Sequence, residues 1–331
     1  MPQKMTPASR RTAAGEAPES TMRSILSSGI RKGWSGALWM YRILIPISFF
    51  TLILEMTHVI ERLDGVLAPI MGLIHLPAKA ALPLVAGLLT GIYGGIASMA
   101  VLDLTIREST LIAVFLLISH NMIQESVIQG QSGVNPIKAA AARLATSVAV
   151  VWLMGFFWGE GARSAVAHAA AAAPAGTAEM LMKWGLQTLK LCLQILVILI
   201  GIMVLMEWMR ATRLSDRLAG MLSPLLRLLG LSERTGMLWL TAVLFGVSYG
   251  GAVIVEEVRH GSLASEELER LHLSIGINHS MIEDPALFLP LGISAVWLWV
   301  PRLLAAVIAV QLLIVWRLVR RRSPASAGVK G

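Results

Sequence analysis

Two short segments carry most of the side chains in this chain that could bind or move something. One is Ser119-His-Asn-Met-Ile-Gln-Glu-Ser126, the other Asn278-His-Ser-Met-Ile-Glu-Asp-Pro285. Each sets imidazole, amide and carboxylate groups against long apolar runs. Continued as helix, the first puts His120 and Gln124 on one face and Asn121 and Glu125 on the next. The second does the same with His279 and Glu283, and with Ser280 and Asp284. Histidine changes charge near neutral pH, and carboxylates inside a membrane relay protons. His120, Asn121, Gln124, Glu125, Asn278, His279, Glu283 and Asp284 are therefore the candidate solute-binding residues, suited to coupling with a H+ or Na+ gradient. Pro285, and in the first segment the stretch 130–136, are expected to end the helices after their carboxylates.

A second paired feature lies upstream of each segment. Gly91-Ile-Tyr-Gly-Gly95 and Gly246-Val-Ser-Tyr-Gly-Gly251 interrupt otherwise helical runs. Glycine permits a chain break or a close approach of helices, so Gly91, Tyr93, Gly94, Gly95, Gly246, Tyr249, Gly250 and Gly251 are candidate gate residues. Arg143 and Arg302 stand near the start of the last apolar span of each half, where headgroup snorkelling and anion binding are equally open readings.

The elements that must position these residues are membrane helices. Of 331 residues 56% are hydrophobic and only 15% charged, with a mean hydropathy of +0.70. A soluble domain is roughly a quarter charged. Apolar spans of about 20 residues must be helical in lipid so that each backbone group is satisfied internally. The fold class expected is all-α, a polytopic membrane protein with broken helices or re-entrant hairpins. The formal charge of +8 sits at the margins (Arg10, Arg11, Arg23, Arg31 and Lys32 before the first span, Arg317, Arg320, Arg321 and Arg322 after the last), which points to cytoplasmic anchoring and away from nucleic acid. Cys192, the single cysteine, lies in an apolar span and offers neither a disulfide nor a thiolate cluster.

Order along the chain suggests a duplication. Glu55 and Asp64 match Glu207 and Asp216 at an offset of 152, Tyr93-Gly94-Gly95 match Tyr249-Gly250-Gly251 at 156, and His120 and Arg143 match His279 and Arg302 at 159. The expected organisation is a disordered basic tail (1–33), a first membrane repeat (34–160), an Ala-rich linker (161–183), a second repeat (184–319) and a basic tail (320–331). The amphipathic stretches 57–75 and 209–230 are expected to lie along the membrane interface. The first connecting stretch, 55–79, has two Lys/Arg and its counterpart, 207–234, has five arginines. With both basic termini cytoplasmic, that bias predicts halves inverted in the membrane, each crossing it an odd number of times. The location implied is a bacterial inner membrane.

At the paired glycine breaks and the SHNMIQES and NHSMIEDP segments, the chain resembles the nucleoside recognition (Gate) domain family, which includes the spore maturation proteins A and B. The resemblance covers about 37–159 and 184–318, as if two such units were fused. It implies hairpins that form a solute gate. Iron-transporting members carry cysteine at their gates, and this chain has none at 91–95 or 246–251.

No H-E-x-x-H, G-x-x-x-x-G-K-[ST] or G-x-S-x-G string is present, so the expectation is no enzyme, no cofactor and no resident metal. The leading expectation is a gradient-driven transporter of a small polar solute, a nucleoside or an organic anion, with the lipid bilayer as its partner and homo-oligomerisation open. Two alternatives stand beside it: a membrane scaffold or accessory subunit that moves nothing, and a divalent-metal permease using His279 and Glu283.

Overall fold

The structure, a computed structural model, describes residues 18–158, 176–212, 220–259 and 263–322. Among these there is no strand. The helices are α1 (Pro18–Met56), α2 (Val59–Arg62), α3 (Asp64–Gly72), α4 (Ala81–Thr90), α5 (Ile92–Met99), α6 (Ile106–Ser119) and α7 (Met122–Gln131). They continue with α8 (Pro136–Phe157), α9 (Thr177–Ala211), α10 (Ser223–Leu228), α11 (Glu233–Arg259), α12 (Ser265–Asn278), α13 (Glu283–Phe288) and α14 (Ala295–Arg322). Among the described residues, five helical stretches are long and apolar enough to cross a membrane: α1, α6 with α7, α8, α9 and α14. Helix α1 begins at Pro18, so 18–33 are helical rather than part of a tail, and 177–183 of the expected linker already belong to α9. Residues 1–17, 159–175 and 323–331, and with them Arg10 and Arg11, lie outside the described residues, as does Asp216. Helices α2 and α3 bury nothing, as an interfacial stretch would.

Local signals explain the helix starts. Thr105 and Glu108 form a reciprocal capping box that opens α6, and Asn135 accepts from the N–H groups of Ile137 and Lys138 ahead of Pro136 to open α8. Helix α6 is apolar all round, and from Ser109 to Ser119 every residue is buried. It is the central post, packed on α8, α12 and α14, while α12 packs in turn on α6, α8 and α14.

Helices α1 and α9 form the other large contact. A Cβ at Gly29 would come within 2.6 Å of Val204 Cα, and one at Gly33 within 2.6 Å of Ile200 Cα. The numbers fall on one helix as they rise on the other, so the pair is antiparallel. The Gly29-x-x-x-Gly33 stripe lets the backbones meet, which is how helices associate where lipid supplies no hydrophobic drive. Lys32 and Glu207 close the contact at 2.5 Å, and Tyr41 donates to the Cys192 carbonyl at 2.5 Å.

The glycine breaks are hairpin tips. Gly91 (φ 85°) turns α5 back along α4, so that a Cβ on Gly95 would lie 3.5 Å from the Pro83 carbonyl oxygen. Within α11, Gly246 (φ 81°) does the same and brings Gly250 to 2.5 Å from Ala242 Cα by the same measure. Only glycine takes this backbone without strain.

Candidate functional site

Both polar segments break earlier than the spacing suggested. Helix α6 ends at Ser119, His120 is extended (φ −66°, ψ 162°) and Asn121 is left-handed (φ 50°) before α7 begins. Helix α12 ends at Asn278, His279 is extended (φ −76°, ψ 166°) and Ser280 is left-handed (φ 48°). The i,i+4 faces that would join His120 to Gln124 and His279 to Glu283 therefore do not exist. Pro285 sits in the first turn of α13 rather than closing a helix. The strain of a left-handed non-glycine residue is of the order of 1 kcal/mol or more, and both breaks are held by the hairpins. Asn121 N–H donates to the Gly87 carbonyl (3.0 Å), and Ser280 N–H to the Ala242 carbonyl (3.3 Å).

A helix that stops inside the protein leaves carbonyls without donors. Arginines from the following spans supply them. Arg143 Nε donates to the Ile118 carbonyl (2.9 Å) and Nη2 to that of His120 (2.9 Å). Arg302 Nε donates to the Ile277 carbonyl (3.3 Å) and Nη2 to that of His279 (2.7 Å). The arginines are 1% and 0% exposed, which excludes snorkelling to headgroups. The guanidinium's fixed fork suits this task, binding two carbonyls of one turn while leaving Nη1 to face a further partner.

The two breaks meet. The His120 and His279 rings lie 5.1 Å apart, centre to centre. Each Nδ1 is 2.9 Å from a main-chain carbonyl, of Leu116 and Ile275 respectively. Glu125 Oε1 lies 3.1 Å from His120 Nε2 and 3.3 Å from His279 Nε2, while its Oε2 pairs with Arg143 Nη1 at 2.8 Å. Asp284 Oδ2 lies 3.6 Å and 3.9 Å from the same two ring nitrogens. Two histidines, two carboxylates and two arginines thus converge from α6–α8 and α12–α14, all buried.

Of the residues expected from sequence, His120, Glu125, His279 and Asp284 form this cluster. Asn278 is fully buried, with no hydrogen-bond partner for either side-chain amide atom. Asn121 and Gln124 bond to each other instead (3.0 Å), with Gln124 exposed. Glu283 turns away and accepts from Tyr93 at 3.4 Å, so the expected His279–Glu283 ligand pair is not formed. Gly91, Gly94, Gly95, Gly246, Gly250 and Gly251 belong to the two hairpins, and the Tyr249 side chain lies outside the described residues. The glycine tips correspond at an offset of 155, Gly91 with Gly246, one less than the tyrosine match suggested.

Sequence reading missed a cleft of about 530 Å³ that opens near the C-terminal end of α14. Its polar wall includes Asn135, Lys138, Arg143, Glu269, His272 and Arg317. His272 is buried with neither ring nitrogen bonded, and Gln129 reaches its carbonyl (3.3 Å). Arg143 belongs to both cleft and cluster. The only sequence signal was an unmatched histidine where the charged first half of α12 gives way to apolar residues.

These features define an all-α polytopic membrane protein whose spans enclose a buried ionic centre. The chain is 30% identical over 283 residues to the uncharacterized membrane protein YvoD of Bacillus subtilis (strain 168), covering 83% of this chain and 89% of the relative. The chain belongs to the family of that protein. No protein-family model matches it, and no solved structure does.

Proposed function

We propose that this chain is a gradient-driven transporter of a small polar solute, a nucleoside or an organic anion, in a bacterial inner membrane with both termini cytoplasmic. On this reading the halves are diverged, inverted copies related to the Gate domains, and their junction is the transport site. The observation that carries it is the convergence of His120, Glu125, Arg143, His279, Asp284 and Arg302 between helices that stop at their own breaks. Ionisable groups at membrane depth are costly and line solute or ion pathways. Broken helices at a repeat junction are how secondary transporters build such sites. The antiparallel α1–α9 pair supports inversion, and the matching hydrogen bonds of Arg143 and Arg302 support the repeat. The cleft leading to Arg143 supports access from one side.

Purified chain in liposomes, screened for uptake of nucleosides and organic anions under a pH or sodium gradient, tests the reading. Uptake should be found, and it should be lost in His120→Ala/His279→Ala. Uptake that survives the double substitution refutes the site. Failure of every gradient and solute favours a scaffold that moves nothing.

A further inference from the structure

We infer that His120, His279 and Asp284, with Glu125, form a binding site for one divalent first-row transition-metal ion of the zinc type. The inference goes beyond solute transport and holds whether or not the chain moves anything.

The tautomers come first. A carbonyl oxygen only accepts, so the Nδ1 atoms facing Leu116 and Ile275 at 2.9 Å must each carry the proton. In neutral histidine that leaves Nε2 as a bare lone pair. Both Nε2 atoms then lie near carboxylate oxygens, which are themselves lone-pair donors: Glu125 Oε1 at 3.1 and 3.3 Å, Asp284 Oδ2 at 3.6 and 3.9 Å. Four donors cannot face one another unless something electropositive sits among them.

A proton serves the arrangement poorly. One proton joins one Nε2 to one oxygen, and it leaves the other ring and Asp284 unserved. His279 Nε2 and Asp284 Oδ2 in fact have no hydrogen-bond partner, although the residues are only 2% and 8% exposed.

A metal ion serves both rings and Asp284 together, with Glu125 Oε1 beside the two histidines. In a tetrahedral site with bonds of about 2.0–2.1 Å, ligand atoms stand about 3.3–3.4 Å apart, and the nitrogen–oxygen separations here run from 3.1 to 3.9 Å. The ligand atoms of His120, His279 and Asp284 all lie within 4.8 Å of one another. The surroundings also match what metal-bound histidine requires: the far ring nitrogen donates to a main-chain carbonyl, which fixes ring orientation. Arg143 takes Glu125 Oε2 and so presents Oε1 alone, as a single-atom ligand. Two carboxylates balance a divalent charge. Arg302 is answered by carbonyls at the C-terminal end of α12, where the helix dipole is negative, and Arg143 by those of α6 together with Glu125 Oε2. Two imidazoles with two single carboxylate oxygens select zinc-like ions over magnesium or calcium, which require more oxygen ligands.

The full chain, purified in detergent on a tag free of histidine, is stripped with a chelator and titrated calorimetrically with Zn2+ and with Mg2+. About one Zn2+ per chain and no Mg2+ is expected. His279→Gln and Asp284→Asn should each weaken Zn2+ at least tenfold, and Glu283→Gln should not. X-ray absorption of zinc-loaded wild type, which needs no variant to fold, should report imidazole nitrogen together with carboxylate oxygen. Zinc content near zero, unchanged affinity in both ligand variants, or a shell without imidazole overturns the site. Zinc bound without any solute uptake keeps this inference and removes the transport reading.

Discussion

The Glu125–Arg143 pair can be weighed by a double-mutant cycle. At 2.8 Å, opposite unit charges attract by about 6 kcal/mol gross at an effective dielectric of 20. Arg143 keeps two carbonyl bonds when Glu125 is replaced, so part of that attraction is not recovered as lost stability. Removing one partner of a buried pair costs about 3–5 kcal/mol, because the other charge is stranded. Glu125→Gln and Arg143→Met should therefore each cost about that much. The double variant should cost far less than their sum, giving a coupling of about 3 kcal/mol. Unfolding of chelator-treated protein in mixed micelles, followed by tryptophan fluorescence, measures all three variants. A coupling below about 1 kcal/mol is what exposed ion pairs give. That result would mean that water reaches this centre, and the argument from buried charge would fail.

Further outcomes follow from individual positions. Gly33→Leu should destabilise by about 1–3 kcal/mol or more by prising α1 from α9, while Gly36→Leu, with open space at its Cβ, should be neutral; the same micellar unfolding compares them. Gly246→Ala should cost about 1–3 kcal/mol from its positive φ alone, read the same way. Glu267, in the first turn of α12 and outside the five spans, has its carboxyl raised by burial but held lower overall by hydrogen bonds from Thr235 and Ser232, and ends below 4.5. A depressed carboxyl adds stability above its unfolded value and loses it as pH falls through the folded one, so the acid-side fall in melting temperature should shrink in Glu267→Gln.

The membrane class was legible because apolar runs of span length admit no other reading in lipid. The pairing of His120 with His279 was legible because ionisable groups recurred in order between such runs. Their geometry was not. The i,i+4 reading assumed continuous helix, and nothing in the string Ser119-His-Asn signals that His120 is extended; the break is fixed by a hydrogen bond to Gly87, a residue 34 positions away from Asn121. For the same reason Glu283 looked equivalent to its neighbour Asp284, yet one reaches Tyr93 and the other the histidines. Arg143 and Arg302 stayed ambiguous because depth in the bilayer depends on where the preceding helix stops. The Gly29–Gly33 stripe was readable in principle, as small residues four apart on an apolar helix.

The centre is not symmetric, and the asymmetry says which side is free to bind. Glu125 Oε2 lies 2.8 Å from Arg143 Nη1, whereas at the matching place Asp284 is one methylene shorter and makes no ion pair with Arg302 among the described residues. Asp284 Oδ2 is unbonded. The first half thus spends a carboxylate oxygen on its arginine, and the second keeps one in reserve. Asp284→Glu adds about 1.5 Å of reach, enough to bring the carboxylate toward Arg302 as Glu125 approaches Arg143. If the reserve is functional, this variant should unfold later, by the order of 1 kcal/mol or more for a buried ion pair with good geometry. It should also bind Zn2+ at least tenfold more weakly, because the oxygen has left the histidines. Greater stability with unchanged zinc binding would show that Asp284 is no ligand. A variant that binds zinc more weakly but unfolds no later would show that Arg302 is already satisfied by its carbonyls, and that the shorter side chain is there for the ion alone.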